Sequence, residues 1–193
     1  MLNKLYSHVE KALPPKRYQH TLGVIKVAVS LAKQYGINEH RAEIAALLHD
    51  VSKCMSLEEL RSYIDCDETL KYYGNMGELL HGFAGSVYAK QELGIYDEDI
   101  LSAIKYHTIG RRGMTTLEKI IYISDAIEPN RNYPNVNFIR EKAKTCINDA
   151  ILFEVDRKLK YLLKIDATIH PNTVDMRNCI LGELKNKGSK SYE

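Results

Sequence analysis

The chain has 193 residues, 45% hydrophobic and 27% charged, enough for one domain with a real core. A net charge of +2 is too weak to argue for nucleic acid from bulk electrostatics, and no apolar run approaches the ~20 residues that span a bilayer. The N-terminal stretch lacks the apolar core of a signal peptide, and none of Cys54, Cys66, Cys146 and Cys179 pairs as CxxC, so a thiolate zinc site is not expected and a reducing, cytoplasmic setting is.

Helical signals dominate in chain order. The start, as far as His8, reads as frayed. "PPKRYQHTLGVIKVAVSLAKQYG" opens on prolines, suited to a first turn, and closes on Gly36. Its apolar face runs Val24, Val27, Leu31, and a step of four back from Val24 puts His20 on the buried side. "NEHRAEIAALLHDVSK" has Asn38 as N-cap and becomes apolar nearly all round, as a central helix would. "SLEELRSYI" carries a capping box of Ser56 and Glu59. "HGFAGSVYAKQELG" reads as a helix ending at Gly94, "YDEDILSAIKYHTIG" as one ending near Gly110, and "TTLEKIIYISDAIEP" as one stopped by Pro129. "NFIREKAKTCINDAILFEVDRKLKYLLKI" reads as one long amphipathic stretch, and "HPNTVDMRNCILGELKN" as a loop with Asn172 or Thr173 capping a final helix. Residues 185–193 read as a frayed tail. No period-two pattern persists, no repeat stands out and no long linker divides residues 1–193, so a single all-α domain is expected.

His20, His49 with Asp50, His81, His107 and Asp125 each stand in apolar context on a predicted helix or at its end. Asp125 shares the face of Leu117 and Ile121. A lone inward histidine is most often a satisfied core residue. Six imidazoles and carboxylates turned inward need a common partner, and a metal ion supplies one. Nitrogen with carboxylate oxygen suits iron, zinc or manganese better than calcium, and the lack of cysteine ligands favours a site with positions open to water.

The ordered set His20, His49–Asp50, Asp125 resembles the HD-domain metal-dependent phosphohydrolases. More narrowly it resembles the YqeK branch, which hydrolyses diadenosine tetraphosphate symmetrically to two ADP. The segments that carry the likeness are "RYQHTLGV", "AALLHDVSK", "LLHGFAG", "YHTIGRRGMTTLEKIIYISDAIEPNR" and "IHPNTVDMRN", spread over nearly the whole chain. "VSK" stands where an aromatic and an alanine are usual before the lysine, and Phe83 where proline is common; neither touches a proposed ligand.

The resemblance implies an HD-type helical bundle with a metal site between helices. It implies that His20, His49, Asp50 and Asp125 hold the metal, iron above all, with manganese or another divalent ion as the alternative and one ion or two. A metal-bound water, its pKa brought from ~15.7 to about 7, would attack the phosphoanhydride, and Asp50 would ligate the ion or orient the water. His81 and His107 bind a second ion, or contact phosphate and protonate the leaving ADP. Lys53, Arg17 and Arg131 lie beside the ligands and are read as phosphate cations, with Arg111 after His107; Arg112 is read as a solvated charge. The block with Thr173 and Arg177 leads into a helix N-terminus and is expected to close over the nucleotide, with His170 not a ligand. The partner expected is a small nucleotide, with no nucleic acid and no membrane; a homodimer through the long C-terminal amphipathic stretch is compatible. The rival readings are another nucleotide phosphohydrolase of this fold, with a link to NAD metabolism, and a non-catalytic nucleotide sensor.

Overall fold

Burial decides which of these segments become the centre of the molecule. The computed structural model describes residues 2–189. In chain order the helices are α1 (Leu2–Ala12), α2 (Pro15–Gln34), α3 (Glu39–Leu48), α4 (Leu57–Ser62), α5 (Asp67–Tyr73), α6 (Gly77–Gln91), α7 (Glu98–Tyr106), α8 (Thr116–Ile127), α9 (Val136–Thr145), α10 (Ile147–Lys164) and α11 (Pro171–Ser189). Among the described residues there is no strand, and the fold is all-α.

α3 starts where the Asn38 side chain accepts the Arg41 N–H, and from Ala42 to Leu48 all but Glu43 are buried. α8 starts on a capping box of Thr115 and Glu118 and buries its residues from Leu117 to Ser124. These two helices are apolar on most sides because α2 and α7 pack against both. α6 packs on α7, while α9 and α11 pack on α10, which lies against α8. Gly82 sets the α6–α7 distance: a Cβ there would meet the Lys105 carbonyl oxygen at 2.6 Å.

The structure corrects several expectations. The start is not frayed: α1 buries Leu5 and Val9, and His8 Nε2 lies 2.9 Å from the Tyr88 hydroxyl. α3 ends at Leu48, and His49–Asp50 open a run of i+3 turns in which Val51 N–H donates to the Leu48 carbonyl and Lys53 N–H to that of Asp50. α5 is a short helix that the sequence reading omits, and α6 begins at Gly77, so His81 sits one turn inside a helix. The long C-terminal stretch breaks at Cys146, whose extended backbone (φ −148°, ψ 106°) divides α9 from α10. The first turn of α11 is capped by His170: its Nδ1 accepts the Asn172 N–H at 3.1 Å and its carbonyl the Thr173 N–H at 2.9 Å. α11 continues through Ser189, where a frayed tail is predicted from residue 185; residues 190–193 lie outside the described residues.

Candidate metal centre

Five helices deliver the site. α2 brings His20, the end of α3 brings His49 and Asp50, α6 brings His81, the end of α7 brings His107, and α8 brings Asp125. The unwinding after Leu48 answers why an imidazole and a carboxylate stand side by side. On a regular helix they would diverge by about 100°. In the turn, His49 Nε2 lies 3.6 Å from Asp50 Oδ2.

Asp50 is the hub. Its Oδ2 faces His49 and, at 4.0 Å, His20 Nε2; its Oδ1 lies 3.3 Å from His81 Nε2 and 3.6 Å from His107 Nε2. His20–His49–Asp50 and Asp50–His81–His107 thus form two trios, each able to surround one cation, that share one carboxylate. Asp125 Oδ1 joins the first trio at 3.1 Å from His20 Nε2.

The histidines are set as ligands by the atoms behind them. His49 Nδ1 donates to the Ala46 carbonyl at 2.6 Å, His107 Nδ1 to that of Ile104 at 2.7 Å, and His81 Nδ1 to that of Gly77 at 3.2 Å. His20 Nδ1 donates to Glu128 Oε1 at 3.3 Å. A proton held on Nδ1 leaves a lone pair on Nε2, and all four Nε2 atoms point at the cluster. His20 Nε2 and His49 Nε2 are buried with no aligned hydrogen-bond partner; the close Asp125 oxygen is an electrostatic neighbour of His20 Nε2, not a well-angled acceptor. His81 Nε2 and His107 Nε2 stand 3.0 Å apart. Two lone pairs at that distance repel unless a cation lies between or beside them. The donor set therefore fits a divalent transition metal, and the four cysteines take no part.

Electrostatics agree. His49 is fully buried, and burial pushes its pKa down to about 4, so its imidazole stays neutral, as a metal ligand must be. Burial lowers His81 as well. Burial alone would raise Asp50, yet the imidazoles of His49, His107 and His81 hold it well below the usual carboxylate range. Burial likewise opposes ionisation of Asp125, and His20 and His49 outweigh it and keep the group anionic. For His20, burial is outweighed by Asp125, which raises its pKa in the absence of an ion.

Cations stand at the rim. Arg17 Nη1 is 3.1 Å from Asp50 Oδ2, and Arg131 Nη2 is 2.7 Å from Asp125 Oδ1. Lys53 Nζ is 2.5 Å from Glu78 Oε2 and 3.5 Å from His81 Nδ1. Other expected residues do not gather at the cluster. Arg111 makes two bonds to the buried Glu118, Arg177 binds Asp156, and the Thr173 hydroxyl donates to the Ile109 carbonyl, although Thr173 lines a cavity that reaches Asp125. Sequence reasoning missed Glu128, which orients His20; Thr108, whose hydroxyl lies 3.2 Å from His81 Nε2 and 3.0 Å from His107 Nε2; and Lys158. Glu128 directly precedes the helix-stopping proline, a place where acids are usually solvated, and Lys158 sits in a generic amphipathic pattern.

Residues 17–130 match the HD domain family. The chain is 43% identical to the symmetrical bis(5'-nucleosyl)-tetraphosphatase of Halalkalibacterium halodurans over 92% of this chain and 95% of that one. It is 40% identical to the protein of the same name from Bacillus subtilis, over 86% of this chain and 89% of that one. A solved structure from Clostridium acetobutylicum, described as a predicted HD superfamily hydrolase involved in NAD metabolism, superposes with a TM-score of 0.88 at 38% identity, covering 95% of this chain and 98% of that one.

Proposed function

The chain belongs to the HD domain family and groups within it with the symmetrical bis(5'-nucleosyl)-tetraphosphatases, and from that premise we propose that it hydrolyses diadenosine tetraphosphate to two ADP. The observation that carries the reading is the pair of trios sharing Asp50, set in a chain that matches those hydrolases nearly end to end. His20, His49, Asp50 and Asp125 hold one divalent ion, and Asp50 with His81 and His107 a second; iron is our choice, with manganese the alternative, on the all nitrogen and oxygen donor set. When bound, such ions lower the pKa of coordinated water from ~15.7 to about 7 and polarise a phosphoryl oxygen.

The protein's own groups do the rest. The oxygens that accept from the four Nδ1–H groups orient each imidazole with its Nε2 toward the cluster. Asp50 spans both trios and orients whatever is held between them. Arg17, Lys53 and Arg131 border the cluster and offset the charge of the tetraphosphate. The burial of His49, His81 and His107 keeps bulk water out and strengthens each of these interactions.

A second reading is supported by the description of the Clostridium acetobutylicum neighbour: a different nucleotide of NAD metabolism as substrate. The cytoplasmic setting rests on the four unpaired cysteines, and a homodimer on the exposed Phe138, Tyr161, Leu163 and Ile165 of the C-terminal region. Among the described residues no helix is long and apolar enough to cross a membrane. The deciding experiment incubates the purified protein with diadenosine tetraphosphate and ferrous iron or manganese, with a chelator control. ADP alone, lost on chelation, is the expected product. AMP with ATP would refute the symmetrical cut, and no turnover would move the assignment to another nucleotide or to a sensor.

A further inference from the structure

Two separate cavities reach the metal centre. One, of about 910 Å³, is lined by Arg17, Gln19, His20, Asn130 and Arg131. The other, of about 480 Å³, includes Asp125, Arg131, Tyr133, Lys158 and His170 in its wall. Both volumes fall within the roughly 300–1,000 Å³ of small-molecule sites. Their linings share only Arg131. Each also contains one candidate metal ligand, His20 in the first and Asp125 in the second, and those two ligands are 3.1 Å apart. The two cavities therefore approach each other at the His20–Asp125 edge of the cluster.

The cations of the Asp125-side cavity are not equally available. Arg157 is held by both oxygens of the buried Glu154 at 2.8 Å each, and Arg131 is paired with Asp125. Lys158 is different. Its Nζ donates to the Thr108 carbonyl at 3.0 Å and lies 4.8 Å from the centre of the Tyr122 ring. Among the described residues it has no carboxylate within ion-pair distance. Burial presses its ammonium below the ordinary lysine value, with Glu154 and Asp125 opposing. A cation drawn partly out of water with no carboxylate in direct contact is a site prepared for an anion.

We propose that the two halves of the dinucleotide lie one in each cavity, with Lys158 binding a phosphate of the half on the Asp125 side, so that the central phosphoanhydride falls over the cluster. This rests on the function proposed above and gives the symmetrical cut a structural origin. Arg131, common to both cavities, serves the bridging phosphates.

The test counts nucleoside diphosphate sites on the metal-loaded protein by equilibrium dialysis with ADP, beside steady-state kinetics on diadenosine tetraphosphate. Two ADP per chain are expected. Lys158→Met should keep its metal, bind one ADP and raise KM about 10- to 100-fold, the loss of one charge-assisted contact. Lys158→Gln keeps a donor for the Thr108 carbonyl without the charge, and it carries the test if the Met variant fails to fold. Lys158→Arg should restore both readouts. One ADP per chain in the unsubstituted protein, or two in Lys158→Gln with unchanged KM, overturns the inference. Absence of dinucleotide turnover with two ADP sites lost singly in Lys158→Gln would refute the proposed substrate and leave the two-cavity assignment standing.

Discussion

At the scale of single residues, the site separates atoms placed to touch an ion from atoms that aim them. His49 is placed as a ligand would be: it is fully buried, its Nδ1 is committed to the Ala46 carbonyl, and its Nε2 has no aligned partner. His49→Ala and Asp125→Ala should stay folded by circular dichroism yet lose bound metal and nearly all turnover; retained activity in either would sink the assignment. Lys53→Ala should keep its metal and weaken substrate binding, because Lys53 lies behind His81 and has its ammonium at the rim. Glu128 is the test of aiming. It never faces the cluster centre, but its Oε1 fixes His20 Nδ1 and its Oε2 accepts the Asn130 N–H at 2.8 Å. Glu128→Gln should retain the orientation through its amide oxygen, while Glu128→Ala should lower metal affinity by about 10- to 100-fold, read by competition with a chromogenic chelator. Equal affinity in both variants would remove Glu128 from the ligand support.

At the scale of elements, the outcome turns on how closely helices approach. α6 and α7 carry His81 and His107, and their Nε2 atoms reach 3.0 Å because Gly82 leaves room for the Lys105 carbonyl. Gly82→Ala should destabilise the fold by about 1–3 kcal/mol, since the obstructing atom is backbone and cannot rotate away. The same change should reduce metal content by parting the second trio, measured by elemental analysis beside a thermal melt. The element scale is also where sequence and structure diverge. Capped helices were legible: Asn38 and the Ser56–Glu59 box stand where the pattern puts them. The inward faces of His20 and Asp125 followed from spacing alone. The break at Cys146 was not legible, since neither glycine nor proline marks it and the apolar period runs on through it. α1 was missed because its two buried residues, Leu5 and Val9, form too short a pattern to stand out against the charged neighbours. Partners such as Glu128 and Thr108 are set by tertiary proximity, over 108 residues in the case of His20 and Glu128, and no local window contains that.

For the whole molecule, the centre acts as a clasp. α2, α3, α6, α7 and α8 meet there, and without an ion their contributions are lone pairs facing one another and the buried carboxylate of Asp50. An ion that binds the folded chain and not the unfolded one adds about 2.7 kcal/mol at a concentration 100 times its dissociation constant. Chelation should therefore lower the melting temperature as well as abolish turnover. The metal-free protein should then show a pH dependence to which His49 and the buried His81 contribute in the same direction. For His49 the unfolded pKa is near 6.5 and the folded value about 4, so between those pH values the unfolded chain binds the extra proton. Stability must fall as pH drops from about 6.5 to about 4, by up to about 3 kcal/mol at about 1.36 kcal/mol per pH unit. His20, whose pKa is raised by Asp125, acts in a different window: its contribution is fully present below about 6.5 and is lost as pH rises through its folded value, so it leaves the acid limb unchanged. Urea titrations of the chelated protein across this range measure the slope directly. His49→Gln, which cannot titrate, should flatten it, and a slope unchanged by that substitution would place the acid sensitivity elsewhere in the fold.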